Sequence, residues 1–421
     1  MFASNTVPSD LVGCHLNTAI LQPYLTLEHP RLVLDVRLAS AFHQAHLANS
    51  YHISPISQLK SRYSYLPPRN VPFLVLAEYD QYEQVVHAFS SSPSARLIFL
   101  SDTTQQVYDD GKPAHIVVSK SFFESAKQLG YLRSSQSHEQ RIAICSQNTN
   151  NDDVPTLLFR PSNAVRTTVL LLETQSRSLD TLRVLDLGCG AARDLAWILH
   201  GSRSRTSSCT WTGVGIDNWK AVLTRAQQLM DDLFLNQIHK DVPRGPRCEK
   251  LLWAKCSDTG LLEPLVGTGK GKPIQPQDVA KLWSEFEEIG LRPLLSTNKA
   301  IETVDEEQKF DLILSIRFHP RALLPQVSRL VRVGGIVLLS HFVTLSEVER
   351  ARAIEAHPEG IVNYDSPPHQ GRIQPGEIEG LVEAFNLSIE QGFTWIIHSD
   401  VLELIEDGRI IRSVALRKVA L

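Results

Sequence analysis

The stretch Val184-Leu185-Asp186-Leu187-Gly188-Cys189-Gly190-Ala191-Ala192-Arg193-Asp194 decides how this chain is read. An apolar run enters a glycine turn, and Leu195-Ala196-Trp197-Ile198-Leu199 continues at once with helical character. Gly188 and Gly190 lack a Cβ, so the backbone can bend sharply and a ligand can come close. A helix behind the turn aims its first N–H groups, and the positive end of its dipole, at that ligand. Asp186 closes the strand and can orient the turn. A second strand, Trp211-Thr212-Gly213-Val214-Gly215-Ile216, ends in Asp217. An acid at that tip can accept hydrogen bonds from ribose hydroxyls.

A dinucleotide fingerprint, Gly-x-Gly-x-x-Gly, would need glycine at position 193, where Arg193 stands. The Leu-Asp-Leu-Gly-Cys-Gly run with its acid-tipped second strand instead resembles the class I S-adenosylmethionine-dependent methyltransferases. The resemblance spans 160–421 and implies a Rossmann-like domain that binds S-adenosylmethionine through Asp186, Gly188, Gly190 and Asp217. It also places Asp258, after the third strand Lys250-Leu251-Leu252-Trp253-Ala254, against the adenine amino group. A solvated loop aspartate is the competing reading of Asp258. The Arg160-Pro161 segment would lie over the cofactor. Gly190-Ala191-Ala192-Arg193-Asp194 and Arg317-Phe318-His319-Pro320-Arg321 resemble the branch holding tellurite-resistance and small-molecule methyltransferases. That branch keeps glycine where Ala192 stands, and the extra methyl bears on cofactor affinity.

Downstream patterns fit the same plan. A helix from Trp219 onward keeps Leu223, Ala226 and Met230 on one apolar stripe. Phe310-Asp311-Leu312-Ile313-Leu314-Ser315-Ile316 predicts a strand, followed by a helix over 323–331 and a Gly334-Gly335 turn into the strand 336–342. A helix over 378–385 precedes strands near 393–397 and 411–416, with Asp407-Gly408 as a hairpin-type turn. Residues 259–308 exceed the short connection expected and read as a surface insertion near the substrate. The insertion holds a glycine-rich loop, 267–273, and an amphipathic segment, 279–286. Gly-Thr-Gly-Lys in that loop fails the phosphate-loop pattern.

The N-terminal part carries its own strand–helix alternation. Apolar strands lie at 32–37, 73–77, 96–100 and 115–118, with helical spacing between them. Leu34-Asp35-Val36-Arg37, Phe42 and His46-Leu47-Ala48-Asn49-Ser50 resemble the opening of a rhodanese. The sulfur-carrying cysteine of that family should follow the strand 73–77, where Glu78-Tyr79-Asp80 stands instead. A sulfur-transfer loop needs a thiolate, so an inactive structural or binding module is expected. Asp35 and Arg37 read as a buried pair fixing the strand end. The expected layout is a flexible tail (1–20), the rhodanese-like domain (21–133), a polar linker (134–159) and the methyltransferase domain (160–421). The fold class is α/β throughout: a small parallel sheet, then a Rossmann-like sheet with a C-terminal antiparallel hairpin.

Composition narrows the function further. Of 421 residues, 43% are hydrophobic and 21% charged, with a net charge of −4, so no overall basic field argues for nucleic acid. The six cysteines include no Cys-x-x-Cys, which argues against a zinc site or disulfide framework and for a reducing, cytoplasmic or nuclear setting. No apolar run reaches the roughly 18 residues of a membrane span. His319, His341 and His369 are base candidates near the carboxyl edge of the sheet; Arg317, Arg321 and Arg372 could hold an anion. Among these, His319 and Arg317 are the catalytic choices. No Asn-Pro-Pro-Tyr or Asp-Pro-Pro-Tyr follows the strand 310–316, which disfavours methylation of amides and nucleobase amines. The reading is methyl transfer to a small acceptor. Two others stay open: a non-catalytic scaffold, or an RNA or protein methyltransferase supported by Arg203-Ser204-Arg205.

Overall fold

Short apolar strands separated by amphipathic helices build two mostly parallel sheets, with a two-stranded antiparallel ribbon beside the first. The computed structural model describes residues 32–48, 50–67, 71–92, 94–102, 106–108, 115–119, 121–133, 157–176, 181–201, 209–237, 246–266, 276–295, 305–356, 361–362, 366–387, 392–405 and 407–421. The expected tail, most of the linker, the glycine-rich 267–273 loop and Arg203–Arg205 lie outside them. The chain divides into two compact units, Met1–Arg160 and Pro161–Leu421. Among the described residues no helix is long and apolar enough to cross a membrane.

The first unit runs β1 (Val33–Asp35), α1 (Ala39–Gln44), β2 (His46–Leu47), β3 (Ser50–His52), β4 (Phe73–Glu78), α2 (Tyr82–Phe89), β5 (Ala95–Ser101), β6 (Gln106–Tyr108), β7 (His115–Ser119), α3 (Ser121–Gln128) and β8 (Leu132–Arg133). Its six-stranded sheet has the order β3-β1-β4-β5-β7-β6, with only β6 antiparallel. Leu74, Leu76, Ile98, Leu100 and Val118 bury one sheet face against Phe122 and Ala126 of α3. Asp35 and Arg37 are buried and paired, at 2.7 Å between Nη2 and Oδ2. After β4, Glu78 and Gln81 cap a tight turn reciprocally, and Gln81 Nε2 donates to the Val36 carbonyl.

The second unit continues with α4 (Asn163–Gln175), β9 (Thr181–Leu187), α5 (Arg193–Gly201), β10 (Thr210–Asp217), α6 (Lys220–Asp232), β11 (Cys248–Cys256), β12 (Leu262–Pro264), α7 (Pro276–Glu288), β13 (Phe310–Ile316), α8 (Leu324–Val327), β14 (Val331–Phe342), α9 (Glu347–Ala356), α10 (Glu377–Asn386), β15 (Phe393–Leu404) and β16 (Ile410–Ala420). The sheet order is β12-β11-β10-β9-β13-β14-β16-β15. Strands β11, β10, β9, β13 and β14 are parallel, and β16 and β15 close the sheet as the expected antiparallel hairpin. The order reverses between β9 and β13, the kind of switch point where open α/β sheets leave a ligand crevice at the strands' carboxyl ends.

Two expectations are corrected. Part of the 259–308 stretch is core rather than surface: β12 extends the sheet edge, and Phe286, Leu291 and Leu294 are fully buried in the main cluster. Amphipathic spacing marks the 279–286 segment but not the layer it packs on. The predicted helix over 323–331 is a single turn, α8, followed by a tighter 3-10 turn at Ser328–Leu330. Pro325 stands in its first turn, where a missing N–H costs least.

Candidate functional site

The glycine turn is built by hydrogen bonds to the neighbouring strand. Gly188 and Cys189 N–H both donate to the Ile216 carbonyl, at 2.8 and 2.9 Å. Gly188, Gly190 and Ala192 all take positive φ, +69°, +55° and +56°. The two glycines serve different ends. A Cβ on Gly188 would lie 2.5 Å from Phe318 Cγ, so the missing Cβ at this glycine makes room for that ring. A Cβ on Gly190 would meet only Val222 Cγ1, at 3.9 Å, so its face is open. Ala192 holds a left-handed conformation that suits glycine, which is the cost of the departure at this position.

Three carboxylates surround the turn. Asp186 is buried, and burial pushes its carboxyl well above the usual range; the charges of Asp194 and Asp217 add to this, and the Leu195 N–H partly offsets it. Burial also raises Asp194, against the pull of Arg193 and Arg317. A carboxyl whose folded pKa is raised binds a proton in the native state that the unfolded chain has released. Stability therefore falls as pH rises from about 4, the unfolded value, through the folded one. Asp186→Asn is expected to flatten that slope in urea unfolding followed against pH; an unchanged slope would show that Asp186 does not carry it. Cys189, between the glycines, has its thiol pushed up by burial and is no nucleophile at neutral pH.

Asp217 stands at the mouth. Its Oδ2 accepts from Gly190 N–H at 2.9 Å and its Oδ1 from Trp219 N–H at 2.8 Å. Trp219 itself is 60% exposed, a large apolar surface beside the acid that sequence reasoning did not single out. Asp258 is exposed in the turn after β11, where Ser257 Oγ receives the Leu261 N–H. Arg160 is the last residue of the first unit.

The segment after β13 is a specialised turn. Arg317 is exposed at φ +55°, its N–H donates to the Ser340 carbonyl at 2.6 Å, and Ser315 Oγ donates to the Phe318 carbonyl. The turn puts Phe318 on Gly188 and sends His319 toward α10. His319 Nε2 lies 2.7 Å from Glu377 Oε1. Arg321 grips the same carboxylate and also the Gln370 and Arg372 carbonyls. Burial alone would raise Glu377, but Arg321, the Gln374 N–H and His319 together hold it below its ordinary value. His341 stacks on His319 with ring centres 5.5 Å apart, and its Nε2 meets the Gly371 carbonyl at 3.0 Å. Burial lowers both histidines, His341 to about 4. Arg321 is thus committed to protein partners, and Arg372 Nε donates to the Pro367 carbonyl, which weakens the anion-holding role expected of them. Glu377 was missed because its partner lies 58 residues away in the chain. Among the described residues no group of three His, Cys, Asp or Glu side chains could hold a metal ion.

No protein-family model matches the chain. An uncharacterized protein of Schizosaccharomyces pombe is 28% identical over 265 residues, covering 62% of this chain and 64% of its own length. The matched region is thus less than two thirds of that relative. Solved structures similar to the chain include a SAM-dependent methyltransferase from Methanosarcina mazei (13% identity, TM-score 0.32, 60% of this chain and 98% of that one). Another is an arsenic(III) S-adenosylmethionine methyltransferase from Chlamydomonas reinhardtii (14%, TM-score 0.31, 62% and 75%). A third is a SAM-dependent methyltransferase from Aquifex aeolicus (12%, TM-score 0.30, 61% and 89%). Strand order and register, rather than these scores, define the second unit as a Rossmann-like α/β domain.

Proposed function

We propose that the second unit is an S-adenosylmethionine-dependent methyltransferase acting on a small acceptor. One observation carries the reading: at the carboxyl end of β10, beside the switch point, Asp217 is held against the N–H of a glycine whose outer face is open. The residues present fit the nucleoside. Gly190 offers a cradle that a Cβ would fill, Asp217 offers carboxylate oxygens for ribose hydroxyls, and Trp219 offers an exposed ring. Asp186 accepts the Leu195 N–H in the first turn of α5, and Asp258 is proposed at the adenine end. When bound, the sulfonium would supply an electrophilic methyl group. The chain's own task is to hold the acceptor in line and exclude water. His319, neutral and oriented by Glu377, can take the acceptor's proton. Arg317, exposed at the same edge, is proposed to help hold the acceptor.

Calorimetric titration of the full chain with S-adenosylhomocysteine tests this. Binding is expected in the wild type and at least about tenfold weaker, or about 1.4 kcal/mol, in Asp217→Ala. Asp217→Asn, which keeps one acceptor oxygen for the turn, controls for collapse of the loop. Phe318 on Gly188 favours a second reading, a scaffold that has lost its cofactor, and absence of binding in the wild type would support it.

The first unit is proposed as a rhodanese-like module without sulfur transfer. Glu78, Tyr79 and Asp80 stand where a thiolate is needed, and the Glu78–Gln81 cap closes the turn. Thiosulfate sulfurtransferase turnover is expected to stay at background, and measurable turnover would contradict the assignment.

A further inference from the structure

We propose, resting on the methyl-transfer reading, that His319 and His341 form the acceptor subsite, and that it takes an uncharged molecule presenting a hydroxyl or thiol proton. The side chain of His319 is 4% exposed and His341 is 6% exposed. Each Nε2 faces an oxygen that only accepts, the Glu377 carboxylate and the Gly371 carbonyl, so each must carry the ring proton there. Each Nδ1 is then a lone pair, and both Nδ1 atoms are buried with no hydrogen-bond partner. Buried polar atoms in folded proteins are nearly always paired. Two orphans of the same kind, on rings stacked with centres 5.5 Å apart, ask for protons from outside the chain.

The charge around the two rings selects the ligand. Arg321 is neutralised by Glu377 and bound to two backbone carbonyls, so it offers no cationic face to an anion. Two imidazole lone pairs repel a carboxylate or phosphate and attract O–H or S–H. The segment 366–376 lies against the pair through the Gly371 carbonyl, which keeps the His341 proton on Nε2. During transfer the acceptor's O–H or S–H bond breaks and its proton goes to Nδ1 of His319. The acceptor's oxygen or sulfur takes the methyl carbon as the carbon–sulfur bond breaks toward sulfur. The resulting imidazolium is stabilised by the Glu377 carboxylate, a positioning residue.

The test is histidine-selective ¹⁵N NMR on the full chain with S-adenosylhomocysteine present. The probes are phenol, 2-mercaptoethanol and, as the anionic control, benzoate. Two Nδ1 signals are expected in the lone-pair range, assigned by His319→Gln and His341→Gln, and moved by phenol or 2-mercaptoethanol but not by benzoate. Glu377→Gln should move protonation of His319 Nδ1 to lower pH, because the neutral amide no longer stabilises the imidazolium. Signals unmoved by both neutral probes, or moved equally by benzoate, would overturn the subsite. If S-adenosylhomocysteine binds by calorimetry and the signals stay still, only the subsite fails. If it does not bind, the methyl-transfer reading fails and the subsite with it. Should a Gln variant not fold, His319→Asn or His341→Asn takes its place for the assignment.

Discussion

Gly260→Ala is expected to destabilise the second unit by about 3–5 kcal/mol, near the upper end for a point substitution. Gly260 sits at φ +78° in the turn after β11, and a Cβ there would lie 2.0 Å from the Ala322 carbonyl oxygen and 2.6 Å from its carbon. Both atoms are backbone, so no rotamer change relieves the clash. Gly190→Ala is the control, since it carries the same kind of positive φ with open space around it. It should cost only about 1–2 kcal/mol, the left-handed penalty alone. All six tryptophans lie in the second unit, so their fluorescence in urea reports its unfolding selectively. Equal costs for the two variants would mean that the β11 turn is not packed on the segment after β13. That contact matters for function, because it joins the Asp258 turn to the strand end that carries Phe318 and His319.

Asp35→Ala should cost the first unit about 3–5 kcal/mol, because it leaves a buried guanidinium without its counter-charge. Arg37 is 2% exposed and donates to Asp35 through Nε, Nη2 and its own backbone N–H. Glu78 is the next carboxylate, 3.9 Å away, too far to replace a hydrogen-bonded partner. The Ala45 carbonyl and the Phe123 ring hold the guanidinium in place but carry no charge to balance it. Replacing both partners by apolar residues of similar volume, Asp35→Leu with Arg37→Met, should recover most of the loss. The first unit has no tryptophan, so the cycle is read by hydrogen exchange at β1 and β4. A small effect of Asp35→Ala would show that the pair is solvated.

What could be read from the chain alone was local. The Asp35–Arg37 pair spans two residues, and strand, glycine turn and helix are contiguous, so backbone chemistry suffices to place them. Even there the reading was incomplete. That Gly188 accommodates Phe318 depends on a segment about 130 residues downstream, brought alongside by the pairing of β9 with β13. The His319–Glu377 contact and the His319–His341 stack likewise depend on which loops meet at the sheet's carboxyl edge. The Phe286 helix shows the same limit in the core: its segment reads as amphipathic, and that pattern alone does not place it on the main core cluster.

A crystal structure of the full chain grown with saturating S-adenosylhomocysteine tests the central claim most directly. The account predicts the nucleoside over the open face of Gly190, with both ribose hydroxyls on the Asp217 carboxylate. A crevice with no nucleoside, Asp217 still closed on the Gly190 and Trp219 N–H groups, would contradict it.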